Sequence, residues 1–287
     1  MARGISMHVG VNFTSVSTTP LLGCVNDAME MALIAEEHGF EGREVIANSQ
    51  ATFSYVTNKI KDAATRLSAG DIFFFTFSGH GSYMPDEDFD ETDYRDETLV
   101  LHDLMLSDDV LARDLWPRFA AGVRILMVSD SCFSGTVSQR IAPPKSDRNE
   151  ENAGVETRRI ADDRDTRIPK VRSGMLKMIP NEDRLRHLAR NKDLYEKMFR
   201  DLPEKPVVTA TVLLFAACED SDTTADGFPN SVFTQTVLDV VRRRSPPTSY
   251  TQLRTDVAAL LVSTQVPQLT VFGPDAVAFE AQGPFTT

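Results

Sequence analysis

Short apolar runs alternate along the chain with longer segments in which apolar residues recur at helical spacing. Residues 5–13 (ISMHVGVNF), 43–46 (REVI), 72–77 (IFFFTF), 123–130 (VRILMVSD), 211–218 (TVLLFAAC) and 268–272 (QLTVF) read as strands. The run from Ile72 to Phe77, bounded by Gly70 and Gly79, has the character of a central strand covered on both faces. Helices are predicted between them. One covers 24–38, with Val25, Met29, Ala32, Leu33 and Ala35 on its apolar face and Gly39 as its stop; others cover 51–67, 108–121, 232–243 and 250–262. Strands alternating with helices predict an α/β fold: a central, mainly parallel six-stranded sheet with helices on both faces. Trp116 and the scattered phenylalanines belong to its core.

Two segments break this rhythm. Residues 85–114 hold twelve acids against Arg95 and Arg113, and 140–177 are poor in large apolar residues while ten of their 38 positions are Lys or Arg. The second reads as a solvated, mobile insert, because such a composition buries too little surface to offset chain ordering. A helical pattern returns at 181–201 through Leu185, Leu188, Leu194 and Met198. The chain therefore divides into a catalytic region at 1–139, a charged linker at 140–206, and a region at 207–287 that completes the same domain.

The 287 residues carry 30 Lys and Arg against 42 Asp and Glu, a net charge of −12, which argues against a non-specific nucleic-acid binder. Three cysteines, Cys24, Cys132 and Cys218, are too few and too dispersed for a disulfide framework or a four-thiolate zinc site and suit a reducing cytoplasm. The N-terminus enters strand-like sequence directly, and no apolar run is long enough to span a bilayer. The expectation is a cytoplasmic protein with neither a membrane nor a nucleic-acid partner.

In an open α/β sheet, chemistry collects beyond the carboxyl ends of the central strands. One strand runs into Ser78-Gly79-His80-Gly81 and another into Asp130-Ser131-Cys132-Phe133-Ser134-Gly135. If these strands are neighbours, His80 and Cys132 meet at one rim as a general base and a nucleophile. The glycines allow close approach of a substrate, and the amides of Gly81 and Cys132 are candidates for an oxyanion hole. Cys24 and Cys218 have no histidine near them in sequence.

The pairing of FFFTFSGHG with ILMVSDSCFSG resembles the caspase-like cysteine peptidases, and within them the metacaspases and their bacterial relatives, the orthocaspases. Supporting likeness comes from GCVNDA (23–28), RDETLVLHD (95–103) and SDDVL (107–111). It is good over 5–137, loose over 207–287 and slight over 140–206. The resemblance implies a caspase-like fold, a dyad of His80 and Cys132 without a cofactor in the chemistry, and a protein substrate with Arg or Lys before the cut. It implies a basic-residue pocket of Asp27, Asp130 and Ser78, with Cys24 beside Asp27. Two carboxylates in a partly desolvated pocket suit a guanidinium and repel an acidic side chain. Some metacaspases need calcium, bound by four acids. Three of those positions correspond to Asp96, Asp108 and Asp109 and the fourth to Gln139, so calcium as an activator stays open. A monomer is the family's default.

In this family the linker is where self-processing occurs. The expectation is that Arg158, Arg159, Arg164, Arg167 or Arg172 is the activation site, cut by the enzyme itself or by an upstream protease. Two other classes compete with the peptidase. One is a catalytically silent caspase-like module that binds partners through an acidic rim. The other is a flavodoxin-like nucleotide binder, which the acidic rim and the lack of a Gly-rich loop after the first strand disfavour.

Overall fold

The computed structural model describes residues 2–85, 95–132, 176–204, 206–218, 225–243, 245–261 and 265–287. Among the described residues, nine strands form two sheets: β1 (Gly4–Gly10), β2 (Glu41–Ala47), β3 (Ile72–Ser78), β4 (Gly81–Pro85), β5 (Arg95–Val100), β6 (Met105–Ser107), β7 (Arg124–Asp130), β8 (Thr211–Ala216) and β9 (Gln268–Phe272). The central sheet has the order β2-β1-β3-β7-β8-β9. Its first five strands run parallel, and β9 pairs antiparallel with β8. The six strands and mainly parallel sheet expected from the apolar runs are all present.

The pleat of β3 shows how the sheet is covered. Phe73, Phe75 and Phe77 enter one core with Val56 and Ile60 of α2 (Phe53–Arg66) and with Leu111, Trp116 and Phe119. Ile72 and Phe74 enter the other with Met31 and Ile34 of α1 (Cys24–Glu37), with Phe233 and Val237, and with Leu253 and Val257. Successive side chains leave opposite faces of a strand, so a wholly apolar run supplies two cores at once.

Four local expectations need correction. The buried stripe of α1 is Cys24, Asp27, Ala28, Met31, Ile34 and Ala35, whereas Met29 and Leu33 lie outward. The true stripe contains a charged residue, which hides it from a count of apolar positions. The helix expected at 108–121 is α3 (Asp108–Val110), prolonged by a wide turn and then a tight one that ends at Arg118. Pro117 lacks the amide that regular continuation needs. β4, leading into the acidic stretch, and β5 and β6 within it make a small antiparallel sheet that was not expected. Finally, Leu185 and Leu194 are exposed, although the helices carrying them exist: α4 (Asn181–Arg190) and α5 (Lys192–Arg200).

The helical pair packs on the small sheet through Val16, Met84, Val100, Met105, Ile179 and Tyr195. The Tyr195 hydroxyl accepts the Met105 amide at 2.8 Å and lies 2.9 Å from His187 Nε2. Three helices follow β8, namely α6 (Val232–Val241), α7 (Tyr250–Ala258) and α8 (Ala276–Ala281). Among the described residues no helix is long and apolar enough to cross a membrane.

Candidate active site

β3 and β7 are adjacent and in register, with Ser78 opposite Asp130. His80 and Cys132 therefore each stand two residues beyond a paired position, at one rim of the sheet. The two backbones touch there: a Cβ built on Gly81 would lie 1.6 Å from the Cys132 carbonyl oxygen. Only glycine fits at position 81.

His80 is buried, and its Nε2 lies 2.8 Å from the carbonyl oxygen of Thr19. A carbonyl only accepts, so Nε2 carries the proton and Nδ1 presents a lone pair. Nδ1 is buried and has no hydrogen-bond partner among the described residues. Burial holds the imidazole below its usual pKa, partly countered by the Thr19 carbonyl. The ring is thus held neutral, in the tautomer that a base needs. Thr19 orients it through its backbone, which is why no side-chain pattern in the sequence pointed to a third member.

Asp27, Ser78, Asp130 and Cys24 converge into one pocket, and a fifth residue fills it. Lys177 Nζ lies 3.0 Å from Asp130 Oδ1 and 3.4 Å from Asp27 Oδ2. It donates to Ser78 Oγ at 2.8 Å and to the Asp130 carbonyl at 3.1 Å. Lys177 has no exposed surface. Burial alone would pull its pKa down, but Asp130, with Cys24 and Asp27 behind it, raises the balance above the ordinary lysine value. Burial pushes Asp27 up against the opposing pull of Lys177. Burial likewise drives the Cys24 thiol up to about 12, so it is a neutral wall rather than a second nucleophile. Lys177 overturns the expectation of a solvated insert at its last residue: an ammonium that finds two carboxylates is no longer held to the surface.

The backbone around Lys177 is equally engaged. Gly81 N–H donates to the Lys177 carbonyl at 2.8 Å, and Ile179 N–H donates to the Gly81 carbonyl at 3.4 Å. Met178 bridges to Gly81 in parallel register, and Leu176 bridges to Ala225 in antiparallel register. Residues 176–179 therefore lie across the rim, held by two isolated bridges and the backbone hydrogen bonds to Gly81.

A layer behind the pocket comes from the region after β8. Ser231, the residue capping α6, gives its amide to Asp27 Oδ1 at 3.0 Å, and Asn230 Nδ2 donates to the same oxygen at 3.1 Å. The Ser231 hydroxyl bridges Asp27 Oδ2, at 2.8 Å, and Asp130 Oδ2. The Thr234 hydroxyl donates to Asp130 Oδ2 at 2.7 Å. Asp226 accepts the amides of Leu22, at 2.6 Å, and Gly23, at 3.1 Å, and so fixes the start of α1. Sequence reasoning missed all four side chains. The available signal was Ser231-x-x-Thr234 opening an apolar helix just past a central strand.

The remaining candidates lie elsewhere. Asp96 on β5 and Asp108 and Asp109 on α3 are each buried. Carboxylate oxygens suit calcium, but among the described residues no three such side chains are grouped to hold a metal ion. Arg158, Arg159, Arg164, Arg167 and Arg172 fall outside the described residues, as does Gln139.

This fold and rim define a caspase-like cysteine peptidase domain. Residues 3–275 match the family profile of the caspase domain, peptidase family C14, and the chain belongs to that family. The match runs through the linker and the C-terminal region, where the sequence likeness had been read as slight or loose. The chain is 29% identical over 167 residues to metacaspase-4 of Arabidopsis thaliana, covering 55% of this chain and 38% of that protein. It is 35% identical over 139 residues to metacaspase-7 of the same plant, covering 45% and 34%. For metacaspase III c of Phaeodactylum tricornutum the figures are 32% over 156 residues, 50% and 46%. In each case the matched part is less than half of the relative's length. A crystal structure of protein GSU0716 from Geobacter sulfurreducens superposes over 99% of both chains with a TM-score of 0.78 and 29% identity.

Proposed function

We propose that this chain is an active cysteine endopeptidase that cuts after Lys or Arg, and that its own Lys177–Met178 bond is a processing site. The observation that carries the reading is Lys177 itself: a basic side chain in the acidic pocket, with its carbonyl on the Gly81 amide. A peptide bond in that position is in the pose of a substrate.

The chemistry follows from the groups at the rim. Cys132 Sγ attacks the carbonyl carbon of the basic residue while His80 Nδ1 takes the thiol proton. The carbonyl oxygen, gaining charge, is held by the Gly81 N–H. The tetrahedral adduct collapses, the C–N bond breaks, and the imidazolium returns its proton to the departing amine. A water then adds to the thioester, giving one proton to His80, and the acid and the thiol are released. Asp130 and Asp27 hold the basic side chain in register throughout and disfavour an acidic one.

While Lys177 fills the pocket, no other basic side chain enters it, so the uncut chain is a zymogen towards external proteins. Cleavage frees the residues before Met178 to leave. This moves the proposed activation site from the arginines at 158–172 to Lys177, with an upstream protease acting in the insert as the second route. Calcium activation is carried as a proposal on the donor chemistry of Asp96, Asp108 and Asp109 alone, and no step is routed through it.

The test compares wild type with Cys132→Ala by intact mass, and on peptides ending in Lys, Arg and Asp, with calcium and with chelator. Fragments 1–177 and 178–287, with cleavage of Lys and Arg peptides alone and all of it lost in Cys132→Ala, are the expected result. Cleavage of the Asp peptide, or self-cleavage that survives the substitution, would overturn it.

A further inference from the structure

We infer that the site also recognises the leaving side of the cut, through an apolar seat for the residue two places after the scissile bond, occupied here by Ile179. The inference rests on the processing reading for its biological meaning, but the seat itself stands on geometry. Ile179 is 4% exposed and is enclosed by Val16, Met84, Val100, Met105 and Tyr195. Those residues come from the β1–α1 loop, from β4, β5 and β6, and from α5, so the seat is built by elements that also frame the rim.

The spacing gives the seat its role. Gly81 grips the strand twice, giving its N–H to the carbonyl of Lys177 and accepting the amide of Ile179. Lys177 in its pocket and Ile179 in its seat therefore fix the two flanks of the 177–178 bond, with Gly81 between them. Met178 is 37% exposed and is not part of that cluster. Burial alternates along the segment, with Leu176 and Met178 exposed and Lys177 and Ile179 buried, so positions 177 and 179 are read and 178 is not. The preferred substrate class is a segment with a basic residue, any residue, and then a large aliphatic one.

This explains why Lys177 rather than the other basic residues of the insert is seated. At the preferred spacing, Arg158 is followed two places on by Ile160, and the bond after it is a second match. By contrast, Arg159, Arg164, Arg167, Lys170 and Arg172 are followed by Ala161, Thr166, Pro169, Arg172 and Gly174. The inference thus singles out two bonds, 177–178 and 158–159, and passes over the rest. It also states that the fragment beginning at Met178 keeps its hold after the cut, because Ile179 and α4 remain docked.

The test separates docking from catalysis. In the Cys132→Ala background, limited trypsin digestion is followed by mass, alone and combined with Ile179→Ala, Ile179→Val or Ile179→Asp. The expected result is that Lys177 resists trypsin while the insert is cut, and that Ile179→Ala speeds cleavage at 177 by about tenfold or more, as removal of a buried aliphatic side chain requires. Ile179→Val should stay near the parent, and Ile179→Asp should be the most open. Thermal melting confirms that each variant is folded; a folded Ile179→Ala or Ile179→Asp protein whose Lys177 resists as well as the parent would overturn the seat. In active protein, the same substitutions should slow self-cleavage at 177 relative to 158. If wild type does not cut itself yet Ile179 still protects Lys177, the processing reading fails and the seat stands.

Discussion

Lys177 Nζ lies 3.0 Å from Asp130 Oδ1, and neither side chain has more than 2% of its surface exposed. In a pair this deep, the mutual attraction and the added hydrogen bonds together offset the water that both ions have given up. Removing one partner leaves the other charge uncompensated. Asp130→Asn should therefore destabilise the uncut chain by about 3–5 kcal/mol and abolish self-cleavage. Asp27→Asn should do less, because the ammonium is 3.4 Å from Asp27 and has Ser78 as a nearer partner. Chemical denaturation of both variants in the Cys132→Ala background gives the order; equal losses would show that the two acids share the charge.

The layer behind the pocket predicts a binding defect without a chemical one. Ser231 and Thr234 touch Asp27 and Asp130 and do not touch Lys177 in the described contacts. Ser231→Ala and Thr234→Val should each raise KM for a Lys peptide while changing kcat little, with an effect of roughly 1–3 kcal/mol per lost charge-assisted hydrogen bond. For Ser231→Ala the acid limb in 1/KM should move to higher pH, because Asp27, already pushed up by burial, loses a donor. Thr234→Ser, which keeps the hydroxyl, should restore KM. A fall in kcat alone, with KM and the acid limb unmoved, would count against the role.

The pocket and the dyad differed in how much of them the sequence revealed. His80 and Cys132 sit in short motifs at the ends of apolar strands, which local pattern can mark, whereas the grouping of Asp27, on α1, with Ser78 and Asp130 was legible only through the family resemblance. Thr19 acts through a carbonyl that every residue possesses, and nothing in its side chain marks it. Lys177 was concealed by the company it keeps: a lysine at the end of a basic, apolar-poor stretch is solvated on any local reading, and only the distant carboxylates change that. The small sheet escaped for a similar reason. Asp96 and Glu97 are buried in β5, where alternation of apolar and polar residues does not report which side faces inward. Contacts between residues distant in sequence, not local pattern, decide the cases of Thr19 and Lys177.

His8 gives a stability prediction away from the rim. It is fully buried in β1, with Nδ1 3.0 Å from Thr76 Oγ1 and Nε2 3.0 Å from Ser6 Oγ. Burial holds its pKa down at about 3, against 6.5 in an open chain. Between those values the unfolded chain binds a proton that the folded chain refuses, so stability falls as pH drops through 6.5 towards 3. The slope from this one group approaches about 1.4 kcal/mol per pH unit at full protonation of the unfolded side chain. His8→Gln, which keeps polar partners without a titrating ring, should flatten the loss of Tm between pH 7 and pH 4. An unchanged pH profile would show that other groups control acid unfolding.

Gly81 offers the sharpest test of the rim. Its backbone lies against Cys132, its N–H meets the Lys177 carbonyl, and its own carbonyl accepts Ile179 N–H. A Cβ there would fall 1.6 Å from the Cys132 carbonyl oxygen, and the obstruction is backbone, which cannot swing aside. Gly81→Ala keeps the amide but must push β4 away from the nucleophile, so the donor no longer points at the developing oxyanion. Loss of one such donor costs about 10²–10³ in kcat. The expected result is a folded protein, by melting, in which self-cleavage and peptide hydrolysis fall by at least that factor. Alkylation of Cys132 by iodoacetamide, which needs no oxyanion hole, should fall much less. Near-normal cleavage by Gly81→Ala would mean that the rim can open without loss, and that the oxyanion is held by some other group.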